Sequence, residues 1–353
     1  MPHLGMNDLR AEFDHEVCYL NTATYGLPPR RSWQVLQQAQ AEWRAGTADA
    51  VGYDTPVGIA RASYARLVGV EPATVAIGSQ ASACAGIVAA SLPDDAQVLV
   101  ATGDFTSILF PFHAQAHRGV TVREVPLDDL VQAVEEEVSL VSVSAVQSSD
   151  GRVVDLAALH AACQEHRTQI LLDLTQAAGW LPVDASLFDY TVCSGYKWLL
   201  APRGTAFLTV RPDRQDGLVP HAAGWYAGDN PWTSIYGGPL RLARDARRFD
   251  VSPAWLSWVA AAPAVTMLAD VGAEALQRHS VGLANDFRIA VGLAPGNSAI
   301  VSLAVSEGTT QALAGAQVIA AIRDGRLRLS FHVSTDAGDV DRAVDVLAQR
   351  ILA

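Results

Sequence analysis

The stretch Cys193-Ser194-Gly195-Tyr196-Lys197-Trp198-Leu199-Leu200 contains the only lysine of the chain. The chain has 25 lysine and arginine residues, so every basic residue apart from Lys197 is an arginine. The neighbours of Lys197 are mainly apolar and aromatic. An ammonium can lose its proton when it is desolvated and become a nucleophilic amine, whereas a guanidinium stays charged. A single lysine could also survive by chance, so its surroundings decide the interpretation.

A carboxylate upstream gives the lysine a chemical context. A neutral amine can form a Schiff base with a carbonyl, which is the link that anchors pyridoxal phosphate (PLP). Asp173 ends the apolar run that begins at Ile170 and precedes Lys197 by 24 positions, which leaves room for one helix and one strand. Ligands of open α/β sheets bind at the carboxyl ends of strands, where an acid can pair with the pyridine nitrogen. A helix N-cap is the alternative role. The spacing favours the cofactor role.

The rest of the chain alternates between β-branched apolar runs and helical patterns. Strands are predicted over 98–101, 120–125, 140–146, 170–173, 190–193 and 205–210, and helices over 33–44, 59–67, 127–137 and 156–166. This alternation predicts an α/β fold with a mostly parallel sheet flanked by helices. A helix over 254–270, strands over 300–305 and 327–332, and a closing helix over 340–352 predict a smaller α+β C-terminal domain. The expected division is an N-terminal segment 1–20 packing with the small domain, a large domain 21–255 and a small domain 256–353.

Composition excludes several classes of protein. The formal net charge of −12 argues against nucleic acid or an anionic membrane as the main partner. Four cysteines without CxxC spacing and the lack of a leader pattern predict a cytoplasmic protein. The apolar stretch 255–268 is too short for a bilayer and predicts a buried helix. No two glycines stand two apart, so a dinucleotide fingerprint is absent. His113 and His117 lack the HExxH arrangement, so no metal site is expected.

With these motifs together, the chain resembles the class V branch of the fold-type I PLP-dependent enzymes. That branch includes cysteine desulfurases, kynureninase, aminotransferases, an epimerase and C–S lyases. The run Ser194 to Lys197 is similar to the family's Ser-x-His-Lys, with Tyr196 in place of the histidine. Asp173 and Gln176 match its Asp-x-x-Gln. The resemblance implies that Lys197 is the Schiff-base lysine, that Asp173 meets the pyridine nitrogen and that Gln176 meets the phenolic oxygen.

Further cofactor contacts are implied by the same resemblance. Phosphate is expected at Ser79, Gln80, Ser194 and Tyr196; the first two lie in a strand–turn–helix start whose N–H groups suit an anion. Phe105 would stack on the cofactor or pack in the core. Ser148 falls near the cofactor oxygen. Ser252 resembles the hydroxyl offered to the partner subunit's phosphate, which implies a homodimer with shared active sites, although it could also be a helix N-cap.

The substrate side is implied by three residues. Arg328 matches the arginine that clamps the substrate carboxylate, for which bidentate geometry suits a guanidinium; a surface charge on an edge strand is the alternative. Thr24 and Tyr25 fall in a segment that lines the substrate side of the cleft. Trp225, Trp232, Tyr226 and Tyr236, together with Trp255 and Trp258, could line the cleft or a dimer interface, and the interface is slightly favoured.

The motifs narrow the reaction only in part. Cysteine desulfurases carry a reactive cysteine just before the arginine strand, and 318–326 contains none. We therefore expect a PLP enzyme that acts at the α-carbon of an amino acid, with β-elimination from a cysteine-derived substrate (a C–S lyase) preferred. A class V aminotransferase is the closest alternative, and an epimerase or cysteine desulfurase is less favoured. A non-catalytic PLP-fold binding protein is the alternative from another class.

Overall fold

A seven-stranded sheet organises most of the chain in the computed structural model, which describes residues 9–352. Its strands stand in the order β2-β8-β7-β6-β5-β3-β4. Strand β8 is antiparallel to both of its neighbours, while β7, β6, β5, β3 and β4 run parallel. The strands are β2 (Val75–Gly78), β3 (Gln97–Ala101), β4 (Thr121–Val125), β5 (Val138–Ser144), β6 (Gln169–Asp173), β7 (Tyr190–Ser194) and β8 (Ala206–Val210).

Helices pack on the sheet and bury its central strands. Strands β5 to β8 are almost wholly buried, as expected for β-branched runs in a parallel sheet. Two apolar clusters pack against the sheet. The helices are α1 (Arg30–Ala45), α2 (Asp54–Leu67), α3 (Ala81–Ser91), α4 (Phe110–His113), α5 (Leu156–His166), α6 (Trp255–Val271), α7 (Ala273–Ala290), α8 (Thr309–Gly315) and α9 (Ala337–Leu347).

A second, three-stranded antiparallel sheet follows α7 and has its own apolar cluster. Its order is β11-β12-β9, with β9 (Ile300–Leu303), β11 (Ala321–Arg323) and β12 (Arg326–Ser330). Strand β1 (Cys18–Tyr19) pairs in parallel with β10 (Val318–Ile319), so the end of the predicted N-terminal segment 1–20 lies beside this second sheet. The domain division at residues 20 and 255 stays a prediction.

The helix predicted over 127–137 is wrong. Only a 3₁₀ turn at Leu127–Asp129 forms, and the following turns still bury Leu130 and Val134. Strand β5 begins at Val138, immediately after three consecutive glutamates, whose negative charges would stand at the C-terminus of the predicted helix and oppose its dipole.

The closing helix also differs from its predicted range of 340–352. It begins at Ala337, because the side chain of Asp336 accepts a hydrogen bond from the Asp339 N–H in a capping box. It ends at Leu347, because Ile351 then pairs with Val305 as an isolated bridge. The strands at β1, β10 and β11 are too short to show a period and were not predicted.

The longest helices within residues 9–352 are α6 and α7. No single helix in this range is long and apolar enough to cross a bilayer. Helices α6 and α7 pass such a test only when taken together, and they are bent by 88° relative to each other. Helix α6 includes the predicted buried apolar stretch and continues through Pro263.

Candidate active site

Lys197 and Asp173 line one cavity at the carboxyl ends of the adjacent parallel strands β6 and β7. Asp173 is the last residue of β6, and Lys197 follows the end of β7 by three positions. The cavity measures about 240 Å³ and is lined by Gln80, Ala81, Phe105, Ser107, Ser144, Ser148, Asp173, Thr175, Gln176, Ser194, Tyr196, Lys197 and Arg203. The structure thus brings together most of the residues that the sequence singled out.

Burial alters the charge state of both ionisable groups. It raises the pKa of the Asp173 carboxyl to about 6, although a hydrogen bond from Thr175 and the charge of Lys197 oppose the rise. It lowers the pKa of the Lys197 ammonium to about 8, opposed by the charge of Asp173. A larger fraction of Lys197 is therefore a neutral amine near pH 8 than an exposed lysine would provide.

The carboxylate of Asp173 has acceptor capacity left for a ligand. Within residues 9–352 its hydrogen-bond donors come from Thr175 alone, and the backbone N–H of Thr175 donates to Oδ1 at 2.8 Å. No helix begins here, so Asp173 does not act as an N-cap. A carboxylate that lines the cavity and accepts hydrogen bonds from one residue only fits a protonated pyridine nitrogen.

The start of α3 forms the part of the cavity wall at which the sequence predicts a phosphate. Gln80 is the N-cap residue and makes no side-chain capping bond, so N–H groups of the first turn stay available to an anion. Ser194 Oγ accepts the N–H of Ala81 at 3.2 Å, which joins the end of β7 to α3. Ser79 is exposed and does not line the cavity. Sequence reasoning missed Arg203, whose guanidinium lies 4.4 Å from the centroid of the Tyr196 ring.

Phe105 lies beside the reactive amine. Lys197 Nζ is 5.2 Å from the centroid of its ring, and the side chain is 44% exposed, so it does not pack in the core. Its backbone is fixed by Asp104, a buried residue whose carboxylate accepts the N–H of Phe105 at 2.6 Å and both the N–H and the hydroxyl of Ser144. Asp104 was another residue that sequence reasoning missed.

Gln176 holds three segments together. Its Nε2 donates to Ser148 Oγ at 2.9 Å and to the carbonyl of Ala23 at 3.0 Å. Its Oε1 accepts the indole N–H of Trp198 at 2.8 Å. Both donors and the carbonyl of the amide therefore have protein partners, and Gln176 and Ser148 both line the cavity.

Arg328 is buried, at 2% exposure, and β12 is the central strand of its sheet. The alternative of a surface charge on an edge strand is therefore wrong. Its guanidinium donates to the carbonyl of Ser148, which lines the cavity, and to Thr24 Oγ1 at 2.8 Å. Tyr25 is 46% exposed, and its ring lies 6.2 Å from that of Tyr196.

The remaining predicted residues lie away from the cavity. Ser252 is exposed and is not the N-cap of α6, since that position is Ala254. Trp225 packs on Trp232, whose indole N–H donates to Asp54. Trp258 is a core residue, and Tyr236 is 87% exposed.

The cysteines are also set apart from the cavity lining. Cys18, Cys84, Cys163 and Cys193 are all buried as free thiols. Burial raises the pKa of Cys18, Cys84 and Cys163 to about 12 and that of Cys193 well above its usual range. A thiol reacts as its thiolate, so none of the four is poised as a nucleophile.

Comparisons with known proteins place this geometry in a family. The model of the class V aminotransferases matches residues 57–299. An uncharacterized aminotransferase of Bacillus subtilis, YcbU, is 30% identical over 83% of both chains. The isopenicillin N epimerase of Streptomyces clavuligerus is 28% identical over 82% of this chain and 78% of its own. These relatives differ in the activity that their names state.

The fold is shared with a solved C–S lyase. The cystine C–S lyase C-DES, in complex with cysteine persulfide, superposes with a TM-score of 0.83 over 95% of this chain and 98% of its own, at 20% identity. This similarity shows the fold-type I architecture. The family match, the fold and a cavity lined by a lysine and a carboxylate agree. The chain therefore belongs to the class V aminotransferase family and is a PLP-dependent enzyme.

Proposed function

We propose that the enzyme catalyses β-elimination from a cysteine-derived amino acid, as a C–S lyase. One observation carries the proposal: Lys197 is buried in the wall of the cavity beside Asp173, while every cysteine lies buried outside its lining. The site thus has an amine that can move a proton and no thiol that could accept a sulfur atom. This combination favours elimination over persulfide transfer.

The residues around the cofactor would each have a separate role in binding it. PLP, when bound, supplies an electron sink that stabilises negative charge at the α-carbon of an amino acid. Asp173, ionised at neutral pH, would accept a hydrogen bond from the pyridine nitrogen. Gln80, Ser194 and the start of α3 would hold the phosphate, and Arg203 would add a positive charge. Phe105 would stack on the ring and exclude water.

The chemical step requires one base. The Lys197 amine takes the proton from the α-carbon and holds it at Nζ. The electron pair of that C–H bond forms a double bond to the β-carbon, and the bond between the β-carbon and sulfur breaks with its electrons on sulfur. A thiolate is a weak enough base to leave without a general acid. Arg328 would hold the substrate carboxylate with Thr24 as its support.

Transamination is the second candidate. It needs the same base, because the proton taken by Lys197 would be returned to the cofactor instead. The 30% identical relative is named as an aminotransferase, which favours this route. Epimerisation needs a second proton donor, and Phe105 offers none. A non-catalytic binding protein would not need Lys197, Asp173, Gln176 and Arg328 together.

A homodimer with shared active sites is part of the proposal. Ser252 is exposed beside the start of α6, where its hydroxyl could reach a partner's phosphate. An apolar groove of about 490 Å³ lies next to it, lined by aromatic residues that include Trp43, Tyr53 and Trp255. Trp43 is 68% exposed. Exposed aromatic patches of this kind are typical of interfaces.

Borohydride trapping followed by product analysis tests the function. Reduction of the PLP-loaded enzyme should fix the cofactor to the peptide that contains Lys197, and the Lys197→Ala variant should show no adduct. A separate, unreduced sample of the PLP-loaded enzyme should convert cysteine thioethers to a thiol, pyruvate and ammonia. A keto acid that forms only with an amino acceptor would establish the aminotransferase instead. If wild-type protein forms no adduct, the proposed function is wrong.

A further inference from the structure

Two arginines converge on one neutral hydroxyl beside the cavity. Arg328 donates to Thr24 Oγ1 at 2.8 Å, and Arg323 donates to the same atom at 3.1 Å. A single hydroxyl oxygen thus accepts from two guanidinium groups. Arg328 has an expected partner in the substrate carboxylate, whereas Arg323 has no role in the site described above.

The convergence follows from the hairpin of β11 and β12. Asp324 and Gly325 form its two-residue turn and both have positive φ, at 49° and 72°, as an Asp-Gly turn allows. Arg323 stands directly opposite Arg326 in the hairpin. Arg326 precedes Arg328 by two residues on β12. Opposite residues and alternate residues share a face of the sheet. The three arginines therefore lie on one face.

The charge on this face is not compensated by the protein. No carboxylate within residues 9–352 forms an ion pair with Arg323, Arg326 or Arg328, and Asp324 in the turn is no exception. Burial and then the charge of Arg323 lower the pKa of Arg328 to about 10. A buried cation without an anion is costly, and a second cation adds repulsion. A bound ligand with negative charge would relieve both.

The two arginines also act on the reactive amine. The positive charges of Arg328 and Arg323 both lower the pKa of Lys197, and Arg328 contacts Ser148 in the cavity wall. Arg326 differs, because its Nε donates to Ser302 Oγ on β9 at 3.1 Å. Arg323 and Arg328 thus form one site at the Thr24 hydroxyl. Arg326 lies on the same face of the sheet but outside that site.

We propose that the substrate is an α-amino acid whose side chain carries a second anionic group. Arg328 takes the α-carboxylate and Arg323 takes the second acid. The inference rests on the proposed function only in requiring an amino-acid substrate. It applies to elimination from a carboxyalkyl thioether of cysteine and to transamination of an amino dicarboxylate alike.

Pairs of ligands that differ in charge but hardly in size test the proposal. One pair is S-carboxymethylcysteine and its amide, S-carbamidomethylcysteine; another is glutamate and glutamine. For an unreactive pair, glutarate and its monoamide can be titrated into the PLP-loaded enzyme by calorimetry. We expect kcat/KM or affinity to be about tenfold or more higher for the anionic member, since charge-assisted bonds distinguish an acid from its amide.

Variants on the same hairpin supply the control. In Arg323→Gln the preference for the anionic member should fall to about one. Arg326→Gln also removes one positive charge from this face, but Arg326 does not contact Thr24. In this variant the preference for the anionic member should persist. If wild type shows no preference, or if both variants lower it equally, the proposal is overturned.

The two proposals fail in different ways. If the borohydride adduct forms and neutral amino acids react as well as acidic ones, the second-acid site is wrong and the proposed function stands. If no adduct forms and no amino acid reacts, the proposed function is wrong, and the preference for glutarate over its monoamide still decides whether Arg323 binds an acid.

Discussion

Asp173 and Lys197 offset part of each other's burial penalty in one cavity. Each is almost fully buried. Burial favours the neutral form of both, and the charge of each favours the charged form of the other. The result is an amine with a pKa of about 8 facing a carboxyl with a pKa of about 6. Between these values both groups are mainly charged, and above pH 8 the amine is mainly neutral.

The titration of Lys197 can be measured without interference from other lysines. Reductive methylation with ¹³C-formaldehyde labels the α-amino group and only one ε-amine in this chain. In apoprotein we expect an NMR titration midpoint near pH 8 for that ε-amine. The Asp173→Asn variant should shift the midpoint lower, because it removes the charge that raises the pKa of Lys197.

The direction of the midpoint shift in Asp173→Asn separates the effect of burial on the pKa of Lys197 from the effect of the Asp173 charge. The exposed Asp129→Asn variant should leave the midpoint unchanged. A wild-type midpoint near 10.5, the ordinary value for lysine, would contradict the buried environment. The rate at which PLP forms its adduct should rise with pH through about 8 and then level, since the neutral amine is the nucleophile.

Phe105 should contribute to cofactor binding and little to folding. Its side chain is 44% exposed, so Phe105→Leu should change the free energy of unfolding by no more than about 0.5 kcal/mol. Loss of an aromatic stack should weaken PLP binding by about 0.5–1.5 kcal/mol, which is roughly twofold to just over tenfold. Fluorescence titration measures the affinity, and Phe110→Leu is the control, because Phe110 is 63% exposed on α4 and does not line the cavity.

The cysteines should prove dispensable for turnover. All four are buried with raised pKa values, so each Cys→Ala variant should retain kcat to within about twofold and lose stability through a small cavity, by about 1 kcal/mol. Thermal unfolding and pyruvate release measure the two effects. A variant that folds normally and loses turnover would restore the desulfurase interpretation.

Local patterns predicted the parts of the site that lie close together in sequence. Asp173, Gln176 and Ser194 to Lys197 lie at the ends of the adjacent parallel strands β6 and β7, so their shared cavity follows from that strand pairing. The helix expected between Asp173 and Lys197 is wrong, because turns and a 3₁₀ helix at Ala185–Leu187 join the two strands. Contacts between distant segments could not be predicted in this way. Arg323 meets Thr24 across 299 positions, through a hairpin whose strands are too short to show a period. The contact between Asp104 and Ser144 depends on the register between β3 and β5, which local sequence patterns do not specify.

The buried ion pair of Arg61 and Asp250 should hold the segment that leads to Ser252. Arg61 NH2 lies 2.6 Å from Asp250 Oδ2, with side-chain exposures of 10% and 1%, and Asp250 Oδ1 also accepts the N–H of Ile77 in β2 at 2.7 Å. Asp250→Leu should lower the free energy of unfolding by about 3–5 kcal/mol, because it leaves the guanidinium buried and unpaired. The change can be measured by urea unfolding.

Two comparisons show whether that loss comes from the unpaired charge. The double variant Arg61→Met with Asp250→Leu should recover much of the stability, since it buries no lone charge. Breaking the exposed pair of Arg66 and Asp270, whose side chains are 56% and 38% exposed, by Arg66→Gln should cost at most about 1 kcal/mol. Equal losses from Asp250→Leu and Arg66→Gln would show that burial does not strengthen the first pair. If the dimer shares its sites through Ser252, Asp250→Leu should also weaken PLP binding under conditions where the protein remains folded.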